Sequence, residues 1–223
     1  LASQRVDTGE PVAAAAAKNP ASAGARVVHL PLPDSEVALV AALGAGRADA
    51  REALFDRYGS DVERVLYRTL GPDSEIPDLL QDVFVVALTS LDQLRNAEAL
   101  RSWLIGIAIR KARKLISKRS RWRFVQHLPG FSLPERPANT ASAEVSDALR
   151  ACYAILERMP ADERLVFALR HLDGMELTTI ATACEISLAT VKRRLARGQQ
   201  RFLALAERSE ALVDFLQGGG FAP

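Results

Sequence analysis

A disulfide framework is not expected in this chain, because it has almost no cysteine. Cys152 and Cys184 are its only two, far apart and both inside helical patterns, which fits structural thiols in a reducing compartment. Histidine is as scarce. His29, His127 and His171 make no metal-ligand spacing with each other or with the cysteines, so neither a metal site nor any other cofactor is expected. No apolar run approaches the ~20 residues of a membrane span. The stretch Val12 to Ala17 is too short and too weakly apolar for a secretion signal, and no basic cluster precedes it. A cytoplasmic chain is expected. A Ser–His–Asp arrangement, a glycine-rich phosphate loop and a metal cluster are all missing, so the chain is expected not to be an enzyme and to have no small-molecule substrate. Strand-forming runs are few. With hydrophobic residues at 48% and many Leu, Ala, Arg and Glu, the expected fold is all-α.

What is present is an uneven distribution of charge. The net charge of +2 hides two blocks of opposite sign. Asp73, Glu75, Asp78, Asp82 and Asp92 fall in a stretch with no base. Arg110, Lys111, Arg113, Lys114, Lys118, Arg119, Arg121 and Arg123 fall in one with no acid.

Composition divides the chain into five parts. Residues 1–34 are rich in Ala, Pro, Gly and Ser and read as a disordered extension. Residues 35–124 form a first helical domain. Its first long helix carries Leu54, Phe55, Tyr58, Val62, Val65 and Leu66 on one face. A second carries Leu80, Val83, Phe84, Ala87, Leu88 and Leu91, with Ser74 as its N-cap and Pro77 tolerated in the first turn. Residues 125–146 carry three prolines and read as a flexible linker. Residues 147–216 form a second small helical domain, broken near Met159–Pro160, Asp173–Gly174 and Glu185–Ile186. Residues 217–223 are a tail.

In the second domain, Ile180 to Arg201 reads as a short apolar helix, a tight turn and a strongly basic helix. That order is a helix-turn-helix, and it makes DNA the first partner to consider. Ser187 caps the basic helix. Leu188, Val191 and Leu195 form its apolar stripe, leaving Thr190, Lys192, Arg193, Arg194 and Arg197 to point elsewhere. No acid interrupts Ile186 to Leu205, whereas a merely solvated face mixes both signs.

Two further constellations lie in the first domain. Asp78, Gln81, Asp82, Val85 and Thr89 form a polar stripe interrupted by an apolar Val85, as a protein-docking surface would be. A polar loop, Arg95, Asn96, Ala97 and Glu98, then leads into a helix with Trp103 as a core anchor, and that helix turns cationic with Arg110, Lys111 and Lys114. Loop polar groups can hydrogen-bond unstacked bases while the cations hold phosphates.

In this order the pieces resemble an extracytoplasmic-function sigma factor, the two-domain form of the promoter-recognition subunit of bacterial RNA polymerase. The likeness covers about residues 37–208. DLLQDVF (Asp78 to Phe84) is similar to the family's DLxQ[DE]xF segment, which implies docking of Asp78, Gln81, Asp82 and Val85 on the clamp coiled coil of the largest polymerase subunit. Leu94 to Leu104 is similar to the family's base-capturing loop and F-x-x-W-L element, with Leu100 in place of Phe. By that likeness Arg95, Asn96, Ala97, Glu98, Arg110, Lys111 and Lys114 face the −10 element. The segment from Leu156 to Gly198 is similar to the −35-reading domain, which implies DNA contacts for Thr190, Lys192, Arg193 and Arg197. The implied partners are core RNA polymerase, promoter DNA and an anti-sigma protein. The chain departs from the family pattern at four positions: Glu185 replaces a turn Gly, Glu176 a capping Ser, Gly106 a frequent basic residue and Arg110 an Asn. A stand-alone helix-turn-helix regulator is the other reading. It would use Phe202 to Phe215 for dimerisation and leaves the acidic stripe and the basic Trp-containing block without a role.

Overall fold

The structure, a computed structural model, describes residues 35–126, 143–209 and 212, and every regular element among them is helical. Residues 1–34, the greater part of the 125–146 linker and the 217–223 tail lie outside the described residues. The elements are α1 (Glu36–Gly44), α2 (Ala48–Leu70), α3 (Ile76–Thr89), two single 3-10 turns (Leu91–Gln93 and Ala97–Ala99), α4 (Leu100–Gln126), α5 (Ala143–Arg158), α6 (Ala161–Phe167), α7 (Leu177–Ala183) and α8 (Leu188–Ala206).

Local chemistry sets the boundaries. Ser35 caps α1 by accepting from the Ala38 amide at 3.2 Å. At α3 the expected cap is corrected. The cap position is Glu75, without a side-chain cap bond, and Asp73 organises the turn by accepting from the Glu75 amide at 3.0 Å. Pro77 sits in the first turn, where its missing N–H costs nothing. Helix α6 starts after Pro160 with Asp162 and Glu163 in its first turn, the acids that suit the positive end of a helix. It runs on as a π-turn through Leu172, closed by the Asp173 amide donating to Ala168 O at 3.1 Å.

The α2 face is as expected in Leu54, Tyr58, Val62, Val65 and Leu66, all buried. Val62, Val65 and Leu66 are wholly enclosed, each worth about 1.5–3 kcal/mol. Phe55 is not part of it. One residue past Leu54 it lies about 100° round the helix, and it is 46% exposed with its ring against Phe84 at 5.0 Å. Leu88 is likewise exposed, one turn beyond Phe84.

Helices from both halves share one hydrophobic cluster. Leu104, Ile105, Ile109, Ala112 and Ile116 of α4 belong to it together with Leu165, Val166, Leu169, Ile180, Ala183 and Val191. A second cluster holds α5 to α6 and α8 around Tyr153, Leu156, Phe167 and Phe202.

Polar contacts reinforce the shared core at the C-terminal end of α2. A helix leaves its last four carbonyls without intrahelical donors. Here the second half supplies them. Tyr153 Oη donates toward Tyr67 O (3.2 Å) and Arg68 O (3.4 Å), and Arg164 donates to Thr69 O (3.0 and 3.2 Å) and Leu70 O (3.1 Å). Arg164 is 3% exposed, and a cation at this negative helix end is favourable. Gly71 follows at φ +81°, and a Cβ there would stand 2.8 Å from the Tyr153 ring, so this junction requires glycine.

Candidate DNA and polymerase surfaces

Helix α8 is built to present cations. Ser187 Oγ accepts from the Thr190 amide at 3.2 Å, as the sequence predicts. Val191, Gly198 and Phe202 face inward, while Leu195 is half-buried. Leu188 departs from the expected stripe: as the first helical residue it has no preceding turn to pack on and is 37% exposed. Arg194 and Arg201 are tied to α6, at 2.6 Å to Asp162 and 3.0 Å to Glu163. Lys192, Arg193 and Arg197 are exposed, and none of the ion pairs among the described residues uses them. Thr190 is half-buried beside the cap, its hydroxyl 2.9 Å from Ser187 Oγ.

The turn before α8 carries the strain expected of it. Glu185 has φ +55° and is the non-glycine residue with positive φ among the described residues, at a cost of about 1–2 kcal/mol. Glu176 stands at the cap of α7 without a side-chain cap bond, 3.7 Å from Arg170. Burial pushes both thiols up to about 11, so Cys152 and Cys184 are un-ionised at neutral pH.

Helix α4 is cationic in sequence, and five of its cations meet carboxylates in space. Arg101 meets Asp61 at 2.6 Å, Arg110 meets Glu185 at 2.9 Å, Lys111 meets Asp82 at 2.8 Å and Arg113 meets Asp162 at 2.8 Å. Arg119 donates to Asp73 and, at 2.6 Å, to Glu75. The Asp73 side chain is 1% exposed, so this pair staples α4 to the α2–α3 connection. Lys114 stays exposed and outside these pairs. The acids come from 29 to 75 residues away, so no local window of sequence contains them.

In the polar loop, Asn96 Oδ1 accepts from the Glu98 amide at 3.0 Å and caps the short 3-10 turn. Arg95, Asn96 and Glu98 are exposed and Ala97 is half-buried. Trp103 is half-buried against the core, a partial anchor. It borders a cavity of about 560 Å³ that Arg95, Asn96 and Arg110 line from one side and Thr179, Thr182 and Glu185 from the other. The structure thus brings the loop, Trp103 and Arg110 together, and it seats the turn of the second half opposite them.

On α3, Asp78, Gln81, Asp82 and Val85 are all exposed, Val85 at 58%. Phe55 and Leu88 border the same helix as exposed apolar groups, which the sequence pattern assigns to the core. Arg164, Tyr153 and the acids facing α4 are the other residues that periodicity does not single out.

A capped basic helix with a free cationic face, set behind a tight turn, defines the class: a helical DNA-binding protein of helix-turn-helix type. The family models then specify it. The model for Sigma-70 region 2 matches residues 54–122, and that for Sigma-70, region 4 matches residues 149–201. The chain is 25% identical over 171 residues to the ECF RNA polymerase sigma-E factor of Escherichia coli strain K12, covering 73% of this chain and 89% of that protein. It is 24% identical over 180 residues to the protein of the same name from Haemophilus influenzae, covering 74% and 92%. A solved structure of CnrH in complex with the cytosolic domain of CnrY shares the fold, with a TM-score of 0.55 at 22% identity over 79% of this chain and 99% of that one. The chain belongs to the extracytoplasmic-function sigma factors of RNA polymerase. It is an alternative sigma factor, a factor of transcription initiation that binds core polymerase and promoter DNA. None of the described helices is long and apolar enough to cross a membrane.

Proposed function

We propose a division of labour along the chain. Asp78, Gln81, Asp82 and Val85 dock on the clamp coiled coil of the largest polymerase subunit. Arg95, Asn96, Ala97 and Glu98 capture an unstacked base of the −10 element, and Arg110, Lys111 and Lys114 hold the adjoining phosphates. Thr190, Lys192, Arg193 and Arg197 read the −35 element in the major groove. The observation that carries this reading is the unpaired cationic face of α8, Lys192, Arg193 and Arg197, on the same molecule as an exposed acidic stripe. Counterion release from phosphates supplies affinity, and side chains at base edges supply discrimination. Strand opening draws on binding energy alone, and the sigma factor itself makes and breaks no covalent bond. An anti-sigma protein is a further partner in this reading.

The regulator alternative would dimerise through Phe202 to Phe215, and Phe202 is not available for that contact. Phe202 is buried and stacked on Phe167 at 4.6 Å, and α8 ends at Ala206, while 213–215 lie outside the described residues.

Asp82→Arg tests the docking assignment. It reverses the charge of an exposed group and places it beside Lys111, so core polymerase affinity falls about tenfold while the helical spectrum is kept. Unchanged capture of core polymerase by the variant would remove Asp82 from the docking surface. Promoter-specific transcripts from core polymerase only when this chain is added would distinguish a sigma factor from a regulator, which binds duplex DNA alone.

A further inference from the structure

We propose that α1 is a buttress for the −10 loop: latched to α2 through Glu36 and Tyr58, it holds the 3-10 turn Ala97–Ala99 where the loop can capture its base. Glu36, Leu39 and Tyr58 are thereby positioning residues for promoter recognition. The inference rests on the assignment of Arg95 to Glu98 to the −10 element.

Helix α1 cannot stand by itself. It has nine residues, and isolated helices shorter than about 12–15 residues are marginal in water. The fold secures both of its ends. At the C-terminal end Gly46, at φ +75°, turns the chain back, its amide donating to Leu43 O at 2.9 Å and the Arg47 amide to Ala42 O at 3.2 Å. At the N-terminal end Ser35 caps the helix, and Glu36 accepts from Tyr58 Oη of α2 at 2.7 Å. A carboxylate in the first turn suits the positive helix end, and a hydrogen bond to a carboxylate is stronger than one between neutral groups. Between the two ends, Leu39, Ala42 and Leu43 are buried in the core.

The −10 loop rests on this helix. Besides α2, α1 packs against the turn Ala97–Ala99. Ala97 and Ala99 are small and half-buried, which permits a close approach. The bonds of the turn itself are local: Asn96 Oδ1 accepts from the Glu98 amide and Asn96 O from the Ala99 amide, each at 3.0 Å. They shape the turn and leave its placement to what supports it. Directly after the turn, Arg101 on Asp61 (2.6 Å) ties the chain to α2, and α1 is the second support. Tyr58 and Asp61 stand one turn apart on α2, so one stretch of that helix anchors both.

The test uses holoenzyme assembled from core polymerase and the full chain, on a promoter it transcribes, with each of the four bases placed in turn at each −10 position. Tyr58→Phe and Glu36→Ala remove the latch and keep the apolar contacts, while Leu39→Ala loosens the packed face. Each lowers output from the preferred promoter about three- to tenfold and narrows the spread between best and worst base, as misplacing a contact group does. Core polymerase affinity stays at the parent value in the two latch variants, which a general loss of folding would not allow. Glu36→Gln keeps an acceptor oxygen for Tyr58 and restores output. Val37→Ala, on the exposed face of α1, changes neither readout. Combining Tyr58→Phe with Asn96→Ala costs little more than Asn96→Ala alone, because both act through one loop; full additivity would separate the helix from the loop and overturn the proposal. Parental base discrimination in Tyr58→Phe and Glu36→Ala, whatever their output, with Asn96→Ala impaired, would overturn the buttress alone. Parental discrimination in Asn96→Ala would remove the −10 loop assignment and the buttress with it.

Discussion

Helices α4 and α8 look alike as sequence and differ as surfaces. Each is rich in Lys and Arg, and over Arg110–Arg123 and Ile186–Leu205 neither contains an acid. In space, α4 has Arg101, Arg110, Lys111, Arg113 and Arg119 each on a carboxylate and keeps Lys114 exposed outside these pairs, whereas α8 commits Arg194 and Arg201 and leaves Lys192, Arg193 and Arg197 free. An acid-free run therefore does not by itself make a nucleic-acid surface. What decides the matter is whether the fold returns acids to it from elsewhere in the chain.

The largest expected effect separates a structural cation from a binding one. Arg119→Ala leaves Asp73 buried without its main partner, and losing one member of a buried pair costs several kcal/mol. Because Arg119 is itself a quarter exposed, about 3 kcal/mol is expected, lowering the melting temperature by roughly 6–12 °C at this chain length. A calorimetric melt within a degree or two of the parent would show that α4 does not depend on this staple.

Next comes a contrast within α8. Arg197→Ala reduces −35-dependent transcription about tenfold, the ~1–3 kcal/mol of a groove contact, with little change in melting temperature. Arg194→Ala behaves in the opposite way, losing stability through Asp162 while its intrinsic DNA affinity stays close to the parent. Equal output from promoters with native and scrambled −35 elements would remove Arg197 from the recognition face.

The smallest effect is a dependence on pH. The Asp61 carboxyl lies below its ordinary value, chiefly because Arg101 donates to it. A carboxylate depressed in the folded state contributes stability that is fully present above the unfolded value near ~3.9, and this is lost as pH falls through the folded one. The contact between α2 and α4 should thus be insensitive to pH from neutrality to about 5 and weaken below about 4. In Arg101→Ala this acid-side component disappears; a melting curve against pH identical to the parent's would remove the pair from the account.

Local chemistry is where the sequence is most readable. The all-helical class, the Ser187 cap, the break at Gly174, the strained Glu185 turn and the exposed stripe of Asp78, Gln81, Asp82 and Val85 all follow from residues a few positions apart. The departures arise where a choice depends on distant groups. Ser74 loses the turn to Asp73, whose carboxylate also serves Arg119 from 46 residues away. Phe55 and Leu88 have helical spacing near the core stripe but not on it. Arg164 looks like one more charged residue beside two acids, and only the end of α2 shows why it is buried.

That end of α2 also imposes an order in time. The donors that satisfy Thr69 and Leu70 belong to Arg164, 95 and 94 positions later in the chain. At synthesis rates of about 5–20 residues per second, the last turn of α2 waits on the order of 5–20 s for Arg164 to be made. Until then its carbonyls depend on water, so the first half leaves the ribosome with one helix end still frayed and acquires its finished form only when the recognition half arrives.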